Sequence, residues 1–433
     1  MRLSQYCKIF RIPKDPTQVA LFSTLTTAVA DVTLDALRDI KINKLSKVEK
    51  KTLTELGILV KSHVSERREM LRCIDDVNKE NRTFTAVVAL NLDCNLGCTY
   101  CYEGKRKGNH YMSEDTADDF VDFVRTHNVK NMDAIDIQFY GGEPLLSVDT
   151  IMRIAKGIRS FSKKQKAKFT FSLITNGTLL TPQIVKRLKP LGLRSANITV
   201  DGPKEVHDSF RPFKSGAGSF HTIINNIRNV HSLIKVHIGG NYTKGRYREF
   251  PALLDYLLEN NLGPDKISSI VFDPVFQEDK EFAQPDFHDG CISINEPWLR
   301  DSGTFLREEI LKRGFRTQMI EPTICAVERR DNLVINYDGD LYKCPGLIGR
   351  VKYRVGTVKT GIRDYQKTLA LGNWKNEKCL ECSYLPLCFG GCRYMKLLRD
   401  GAITGVDCKK EYYDKTLHAM VLQDVKYSRT TVQ

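Results

Sequence analysis

The sequence predicts an α/β fold, and two observations support that prediction. From about Phe84 onward, short apolar runs of strand character alternate about six times with amphipathic helical patterns, which is typical of βα units around a parallel sheet. The chain has 433 residues, of which 41% are hydrophobic and 27% are charged, and this is the composition of a globular protein. At roughly 100–200 residues per domain, the length corresponds to about two to four domains.

Residues 1–80 precede this alternation and have the pattern of a small separate module. The order of predicted elements suits a winged-helix module, in which Ser46 caps the second helix and Gly57 lies just beyond its end. The elements are strand-like runs at Cys7–Arg11 and Val19–Ser23, a helical pattern around Asp31–Asp39, a helix over Leu45–Leu56, and a charged helical connector over Glu66–Lys79.

The central region contains six candidate strands, and helices between them begin at the capping residues Ser113 and Thr181. The strands are Phe84–Leu92, Ile135–Tyr140, Phe169–Ile174, Asn197–Val200, Lys235–Ile238 and Ser268–Phe272. Periodicity alone allows either an open doubly wound sheet or a partial barrel. Both architectures bind ligands at the C-terminal ends of the strands, and the segments LDCNLGCTYC, YGGEP, TNGT and VDGP follow the first four strands.

The alternation ends after Asp273, where a loop to Asn295 is predicted. A helix is predicted over Pro297–Gly314 and a hairpin over Leu333–Tyr342, which would turn at Asp338-Gly339. The tail, Lys409–Val425, has the pattern of a helix.

The net charge and the targeting signals limit the partners and the cellular compartment that the sequence predicts. Lys and Arg number 66 against 52 Asp and Glu, a net charge of +14, which favours acidic partners such as an acidic peptide, a nucleic acid or anionic cofactor groups. No stretch reaches the roughly 18 apolar residues that a transmembrane helix needs, and the N-terminus lacks the apolar core of a signal peptide. We therefore expect a cytoplasmic protein. In that reducing compartment, the 13 cysteines indicate metal binding or redox chemistry.

Three cysteines lie together directly after the first predicted strand. Cys94, Cys98 and Cys101 have the spacing CxxxCxxC, so three thiolates on one loop can bind three corners of an iron–sulfur cube and leave the fourth iron open. Tyr100 and Tyr102 flank the last cysteine and could pack on a flat ligand. A structural zinc site is the alternative interpretation.

This motif resembles the signature of radical S-adenosylmethionine (SAM) enzymes. The resemblance extends over Phe84–Val275 and implies their partial (β/α)6 barrel, with SAM bound at the open iron. It further implies that backbone carbonyls of a GGE motif receive the methionyl amino group, and that a guanidinium pairs with the SAM carboxylate. The residues implied for the SAM pocket are Tyr100, Gly141, Gly142, Glu143, Asn176, Thr199, Asp201 and Arg211.

Seven more cysteines lie in the C-terminal region. Their order, with two well-separated cysteines, then the run C-x2-C-x5-C-x3-C and a last cysteine 15 residues on, suits metal clusters, with zinc as the alternative. It resembles the SPASM domain, which implies two auxiliary [4Fe–4S] clusters. The first would be held by Cys325, Cys344 and Cys392, and the second by Cys379, Cys382, Cys388 and Cys408.

The ligand count leaves one position undetermined. One open cluster and two closed clusters together take eleven cysteine ligands, one more than the ten in the motifs. Cys291 could supply the missing ligand to the first auxiliary cluster, or a substrate thiolate could bind there. Where sulfatase-maturing relatives have a catalytic Asp just after the cysteine that matches Cys344, this chain has Pro345 and Gly346. The departure argues against formylglycine formation.

The resemblance also covers the N-terminal module, which is similar to the leader-binding modules of peptide-maturing enzymes; these take up a peptide as an added strand. The implied domains are 1–80 for the leader module, 81–300 for the barrel and 301–433 for the SPASM domain. Over its whole length the chain resembles the geopeptide radical SAM maturases.

The resemblance implies an enzyme that modifies a ribosomally made precursor peptide through hydrogen abstraction by a 5′-deoxyadenosyl radical. The expected cofactors are SAM and three [4Fe–4S] clusters, and the expected partners are a precursor peptide with a leader and a reductant such as flavodoxin or ferredoxin. We expect no nucleic-acid or membrane partner. Thioether crosslinking at cysteines is the leading product class. The alternatives are a C–C crosslink, an epimerised residue, an RNA-modifying enzyme, and a non-catalytic electron-transfer or zinc-binding module.

Overall fold

The computed structural model describes residues 1–12, 15–127, 132–279, 282 and 286–428. The chain divides into two compact units. The first comprises Met1–Asn81, Met319–Arg330 and Ala370–Gln433, and the second comprises Arg82–Gln318 and Asp331–Leu369. No helix within the described ranges combines the length and the apolar character needed to cross a membrane.

The first unit begins with an antiparallel sheet of three consecutive strands and with three helices. A capping box at Ser46 starts the second helix, and Gly57, with φ +67°, lies just past its end. The elements are β1 (Arg2–Leu3), β2 (Cys7–Ile12), β3 (Asp15–Ser23), β4 (Val29–Thr33), α1 (Leu34–Lys41), α2 (Lys47–Glu55), β5 (Leu59–Val60) and α3 (His63–Glu80). The helical pattern predicted around Asp31–Asp39 was wrong at its start, because Val29–Thr33 pairs with β3 and Thr33 caps α1.

The second unit is built on a ten-stranded sheet. Its first part alternates strands and helices: β6 (Thr83–Ala89), α4 (Glu114–Thr126), β7 (Ala134–Tyr140), α5 (Val148–Gln165), β8 (Lys168–Thr175), α6 (Pro182–Leu188), β9 (Leu193–Thr199), α7 (Lys204–Phe210), α8 (Phe220–Val230), β10 (Lys235–Tyr242), α9 (Phe250–Glu259), β11 (Ile267–Pro274) and α10 (Pro297–Lys312). The sheet then continues through β12 (Asn332–Ile335), β13 (Asp340–Tyr342), β14 (Gly356–Thr357) and β15 (Gly361–Ile362).

The order of the barrel strands resolves the choice between the two predicted architectures. Strands β6 to β11 are parallel and lie in consecutive order, without the reversal of strand order that defines a doubly wound sheet. A singly wound sheet of this kind is a partial barrel, as the resemblance to radical SAM enzymes implied. Strand β12 adds in parallel beside β6 and begins the predicted hairpin, whose turn contains Gly339 at φ +85°.

Side-chain burial alternates along the barrel strands. On β7, Ile135, Ile137 and Phe139 are fully buried beneath the helices, whereas Gln138 and Tyr140 on the other face are only half-buried. Because successive strand residues point to opposite faces, the half-buried series lines the barrel interior. The interior is therefore polar and open rather than packed.

The first unit ends with four helices: α11 (Glu377–Leu380), α12 (Leu385–Cys388), α13 (Arg393–Asp400) and α14 (Lys410–Ser428). Their apolar side chains share cores with the N-terminal elements. Tyr6 and Met70 pack with Trp374 and Phe389 in one cluster, and Phe22 packs with Leu417 in another. Residues 1–80 therefore fold together with the C-terminal segment, and the predicted three-domain division stays a prediction.

Candidate functional site

A cavity of about 290 Å³ opens at the C-terminal ends of the barrel strands. Five strands contribute residues to its wall, among them Tyr140 of β7, Thr175 of β8, Thr199 of β9, Asn241 of β10 and Asp273 of β11. The loop after β6 completes the wall. The predicted site residues that line this one cavity are Cys94, Cys98, Tyr100, Cys101, Gly141, Gly142, Asn176, Thr199 and Arg211.

The three cysteines of the loop after β6 are held by packing and by backbone hydrogen bonds. Cys94 and Cys98 are 5% and 8% exposed and pack around Leu96. The Leu96 N–H donates to Cys94 Sγ at 3.4 Å, and Asn176 Nδ2 lies 3.6 Å from the same sulfur. Within the described ranges, no three Cys, His, Asp or Glu side chains converge on a single metal ion.

Asp93, which sequence reasoning missed, anchors the start of this loop. Its carboxylate accepts hydrogen bonds from the Cys94 N–H at 2.8 Å, Tyr111 Oη at 2.6 Å and Lys214 Nζ at 2.9 Å. Burial acts to raise the pKa of Asp93, but these donors hold it below its ordinary value. The ionised carboxylate fixes the position of Cys94.

The two glycines after β7 allow the cysteine loop and the β7 loop to come into contact. The Gly142 N–H donates to Asn91 O at 3.0 Å, and the Glu143 N–H donates to Asp93 O at 2.8 Å. Gly141 has φ +138°. A Cβ at Gly141 would overlap the carbonyl oxygen of Asn91, and a Cβ at Gly142 would overlap the carbonyl oxygen of Asp93. Only glycine leaves the backbone accessible at this point.

Glu143 does not face the cavity. Its carboxylate is fully buried and accepts hydrogen bonds from Thr175 Oγ1 at 2.7 Å, the Asn176 N–H at 2.8 Å and the Leu145 N–H at 3.0 Å. The side chain therefore ties the β7 loop to the end of β8. Its contribution to the site is positional, through the neighbouring Asn176.

A buried hydrogen-bond network orients Arg211 and Tyr100. Tyr100 Oη donates to Asp201 Oδ2 and accepts from Arg211 Nη1 at 2.7 Å and from Asn241 Nδ2 at 3.1 Å. Asp201 also accepts from the Asn241 N–H at 2.7 Å and does not line the cavity. Burial raises the pKa of Asp201, while Arg211, 3.8 Å away, acts in the opposite direction. Asp201 is thus the counter-charge of Arg211.

His207 supports the backbone of the same arginine. Its Nδ1 accepts from the Asp201 N–H at 3.1 Å, so Nε2 carries the proton and donates to Ser219 Oγ at 3.0 Å; this hydroxyl in turn donates to Arg211 O at 2.7 Å. Burial, aided by the charge of Arg211, lowers the pKa of His207 to about 3. The imidazole is therefore neutral.

Two polar groups in the wall have buried atoms without a hydrogen-bond partner among the described residues. Both carboxylate oxygens of Glu103 are unpaired although the residue is only 4% exposed, and Arg211 Nε is unpaired as well. Burial raises the pKa of Glu103 to about 7, although Lys107 and Arg106 act to lower it. One cavity thus presents a carboxylate and a guanidinium that each have unpaired hydrogen-bonding atoms, which complements a ligand with both an ammonium and a carboxylate.

Six of the seven C-terminal cysteines lie in the first unit. Burial raises the pKa of Cys379, and the nearby Cys408 and Cys382 raise it further. Burial raises the pKa of Cys388 to about 12, and the charges of Cys382 and Cys379 raise it as well. The thiols of Cys379, Cys382, Cys388 and Cys408 are therefore neighbours. This is the set predicted for the second auxiliary cluster.

The set predicted for the first auxiliary cluster is divided between the units. Cys392 and Cys325 are near enough for the charge of one to act on the other, and both belong to the first unit, whereas Cys344 belongs to the second. Cys291 is fully buried in a β-bridge with Phe276, and burial with the charge of Glu296 raises its pKa to about 12. Its role as a ligand stays a prediction.

Sequence reasoning missed several residues that line the cavity, including Glu103, Lys107, Asn197, Asn241 and Asp273. Asp273 could have been found, since it is an acidic residue at the end of a predicted strand. Glu103 and Lys107 follow the cysteine motif directly, but nothing in the sequence indicates the direction of their side chains.

Comparison with known proteins finds similarity to radical SAM proteins, in agreement with the cysteine motif. The family model described as the radical SAM superfamily matches residues 90–257. The chain is 28% identical over 257 residues to an uncharacterized protein of Methanocaldococcus jannaschii, which covers 59% of this chain and 82% of that protein. It is 24% identical over 346 residues to the serine-type anaerobic sulfatase-maturating enzyme of Bacteroides thetaiotaomicron, which covers 69% of this chain and 80% of that enzyme.

Two solved structures share the fold. The structure of anSMEcpe with bound AdoMet has a TM-score of 0.59 at 19% identity and covers 78% of this chain and 98% of its own. Streptococcus suis SuiB bound to S-adenosylmethionine has a TM-score of 0.56 at 15% identity and covers 95% of this chain and 100% of its own. The similarity to SuiB thus extends over nearly all of the chain.

Proposed function

Because residues 90–257 match the radical SAM superfamily, we propose that this chain is a SAM-dependent maturase of the SPASM type that modifies a ribosomally made precursor peptide. The observation that carries the proposal is the cavity at the strand ends. It combines the three cysteines of the CxxxCxxC motif with the Glu103 carboxylate, whose oxygens are unpaired, and the Arg211 guanidinium, whose Nε is unpaired. Three thiols on one side suit a [4Fe–4S] cluster with an open iron, and the charged pair suits the methionyl group of SAM.

Each residue has a distinct task in this proposal. Cys94, Cys98 and Cys101 would hold the cluster. Arg211, oriented by Tyr100 and Asp201, would pair with the SAM carboxylate, and Glu103 would accept hydrogen bonds from its ammonium.

Gly141 and Gly142 line the cavity, and their carbonyl groups would accept hydrogen bonds from the same ammonium, while Asn176 and Thr199 form the part of the wall expected to face the ribose. When bound, SAM and the reduced cluster supply a 5′-deoxyadenosyl radical that abstracts hydrogen from an unactivated C–H bond. The chain positions the reactants and shields them from water.

The substrate class is proposed from the relatives and from the N-terminal module. Structures of anSMEcpe with a Kp18Cys peptide and of SuiB with the precursor peptide SuiA are among the similar folds. In this chain, β4 is an outer strand of the sheet β2-β3-β4. An extended leader could add to its edge through backbone hydrogen bonds.

Thioether formation at a cysteine is the proposed product, and a C–C crosslink is the second candidate. Pro345 and Gly346 stand after Cys344 in place of the expected acidic base of sulfatase maturation, which disfavours formylglycine. Two further [4Fe–4S] clusters on the C-terminal cysteines would accept the electron released by crosslinking, and flavodoxin or ferredoxin would serve as reductant.

The test uses the anaerobically reconstituted full chain and the precursor peptide encoded beside its gene. A crosslink removes two hydrogens, so mass spectrometry should detect a peptide lighter by about two mass units, and tandem fragmentation should locate a bridged cysteine. A peptide without its leader should be modified much more slowly, while SAM cleavage without peptide stays unchanged. An unmodified peptide, in a preparation that does cleave SAM, would refute the proposed function.

A further inference from the structure

We infer that Asp273 is the general base that accepts the proton released when the peptide crosslink forms. The inference rests on the proposed function and adds a catalytic residue to it. Asp273 is the last residue of β11 that faces the barrel interior, and it lines the same cavity as the three cysteines of the CxxxCxxC motif. General bases act from positions within hydrogen-bond reach of the substrate, which requires an open carboxylate in the reaction cavity.

Of the four other carboxylates near the cavity, three are bonded within the protein and the fourth, Glu103, is proposed to bind the SAM ammonium. Glu143 and Asp201 are fully buried, bonded within the protein and turned away from the cavity. Asp93 is bonded to Tyr111 and Lys214. Glu103 lines the cavity but lies between the cations Lys107 and Arg106.

Asp273 differs from all of these. Its side chain is open to the cavity, and the described residues place no hydrogen-bond donor or cation against it. Its neighbour across the ladder is Asn241, whose amide is bonded to Tyr100. Although the side chain is exposed to the cavity, the protein walls around it partly desolvate the carboxylate, and this raises the pKa of Asp273 and makes it a better proton acceptor than a carboxylate in water.

The position of β11 gives the substrate access to this carboxylate. Strand β11 is the terminal strand of the sheet, so Asp273 stands at the open side of the partial barrel. A second cavity of about 280 Å³ lies deeper in the interior and is lined by polar side chains that include Gln138, Ser172 and Asn197. Asn197 lines both cavities, which makes them adjacent. The polar wall near Asp273 therefore continues toward the N-terminal ends of the strands, while the open side of the sheet leaves the carboxylate accessible at the mouth.

The chemistry requires such a base. In a thioether crosslink, a C–H bond and an S–H bond of the peptide break and one C–S bond forms. The hydrogen atom would leave in 5′-deoxyadenosine, the [4Fe–4S] clusters proposed for the C-terminal cysteines would accept one electron, and the S–H proton would pass to Asp273. A C–C crosslink releases one proton and one electron in the same way. The chain has Pro345 and Gly346 where sulfatase-maturing relatives are expected to have their base, so this position supplies no carboxylate for the role.

The test compares Asp273→Asn with Asp265→Asn, an exposed aspartate just before the other end of β11. Each variant is reconstituted and given SAM, reductant and the cysteine-containing precursor peptide. SAM affinity, peptide-dependent 5′-deoxyadenosine and crosslinked peptide are measured separately. In Asp273→Asn, the amount of crosslinked peptide formed per 5′-deoxyadenosine should fall about 10²–10⁴-fold. Asp265→Asn should crosslink normally.

Three outcomes would overturn the inference. One is crosslinking by Asp273→Asn at a rate within about threefold of the wild type, since a base contributes more than this. Another is a parallel loss of SAM binding or cleavage, which would assign Asp273 to the cofactor site. A wild-type enzyme that cleaves SAM but leaves the peptide unchanged would overturn the proposed function together with this inference.

Discussion

Replacing Gly142 by alanine tests the proposed contact between the β7 loop and the cysteine loop. A Cβ at this position would overlap the Asp93 carbonyl oxygen and would lie 2.5 Å from the carbonyl carbon and 3.0 Å from the Leu92 carbonyl carbon. These atoms belong to backbone, which cannot rotate away as a side chain could. The β7 loop must therefore move away from the strand end that leads into Cys94.

The expected size of the effect follows from this overlap. Adding a methyl group to a well-packed site costs typically about 1–3 kcal/mol. The shift would also stretch the hydrogen bonds from Gly142 N to Asn91 O at 3.0 Å and from Glu143 N to Asp93 O at 2.8 Å. If the whole cost falls on the SAM-bound state, affinity for SAM drops roughly 5- to 150-fold, at about 1.4 kcal/mol per factor of ten.

The assay measures SAM binding by calorimetry and 5′-deoxyadenosine formation in the reconstituted enzyme. Gly97→Ala is the matched control, because Gly97 lies in the cysteine loop itself and its Cβ would meet only Pro212 O at 3.9 Å, an ordinary contact. The control should bind SAM normally. Normal SAM affinity in Gly142→Ala, or an equal loss in Gly97→Ala, would refute the reasoning.

Three further predictions follow from the site. The reconstituted chain should hold about twelve irons, and the variant with alanine at Cys94, Cys98 and Cys101 about eight, with loss of SAM cleavage; saturation near four irons or with zinc would contradict the three-cluster assignment. Glu103→Gln should weaken SAM binding roughly 10- to 150-fold, the equivalent of about 1.5–3 kcal/mol for a hydrogen bond to a charged group, whereas exposed Glu205→Gln should not. Because burial lowers the pKa of His207 from 6.5 to about 3, the unfolded chain binds a proton that the folded chain excludes between these values, and stability should fall as the pH drops through this window. Between pH 7 and pH 5, the melting temperature of His207→Gln should fall less than that of the wild type. An equal fall in both proteins would contradict the claim that His207 is buried as a neutral imidazole.

The fold was predictable where local patterns determine it. The six barrel strands alternate or concentrate apolar residues, and caps such as Ser113 and Thr181 begin their helices as predicted. The choice between a barrel and a doubly wound sheet depends on which strands pair, and that is a long-range property which periodicity does not contain. The same limit explains why the start of the predicted helix around Asp31–Asp39 was wrong. The pairing of Val29–Thr33 with β3 is a long-range contact, and it outweighs the helical pattern of these residues.

The site was predictable in position but not in side-chain direction. The cysteine motif and the glycines after β7 indicate the cavity because their spacing alone constrains the chemistry. In contrast, Glu143 and Glu103 are both acidic residues next to a motif, yet the first turns into the protein and the second lines the cavity. Only the tertiary structure decides which carboxylate has partners. The shared core of Tyr6 and Trp374 was equally hidden, because it joins segments far apart in the sequence.

Deuterium transfer from the precursor peptide to 5′-deoxyadenosine tests the central claim most directly. The peptide is produced in deuterated medium, purified, and incubated anaerobically with the reconstituted enzyme, SAM and reductant. The account predicts monodeuterated 5′-deoxyadenosine together with a crosslinked peptide, and neither product with the variant that lacks Cys94, Cys98 and Cys101. Unlabelled 5′-deoxyadenosine beside an unchanged peptide would contradict the claim that this chain abstracts hydrogen from a peptide.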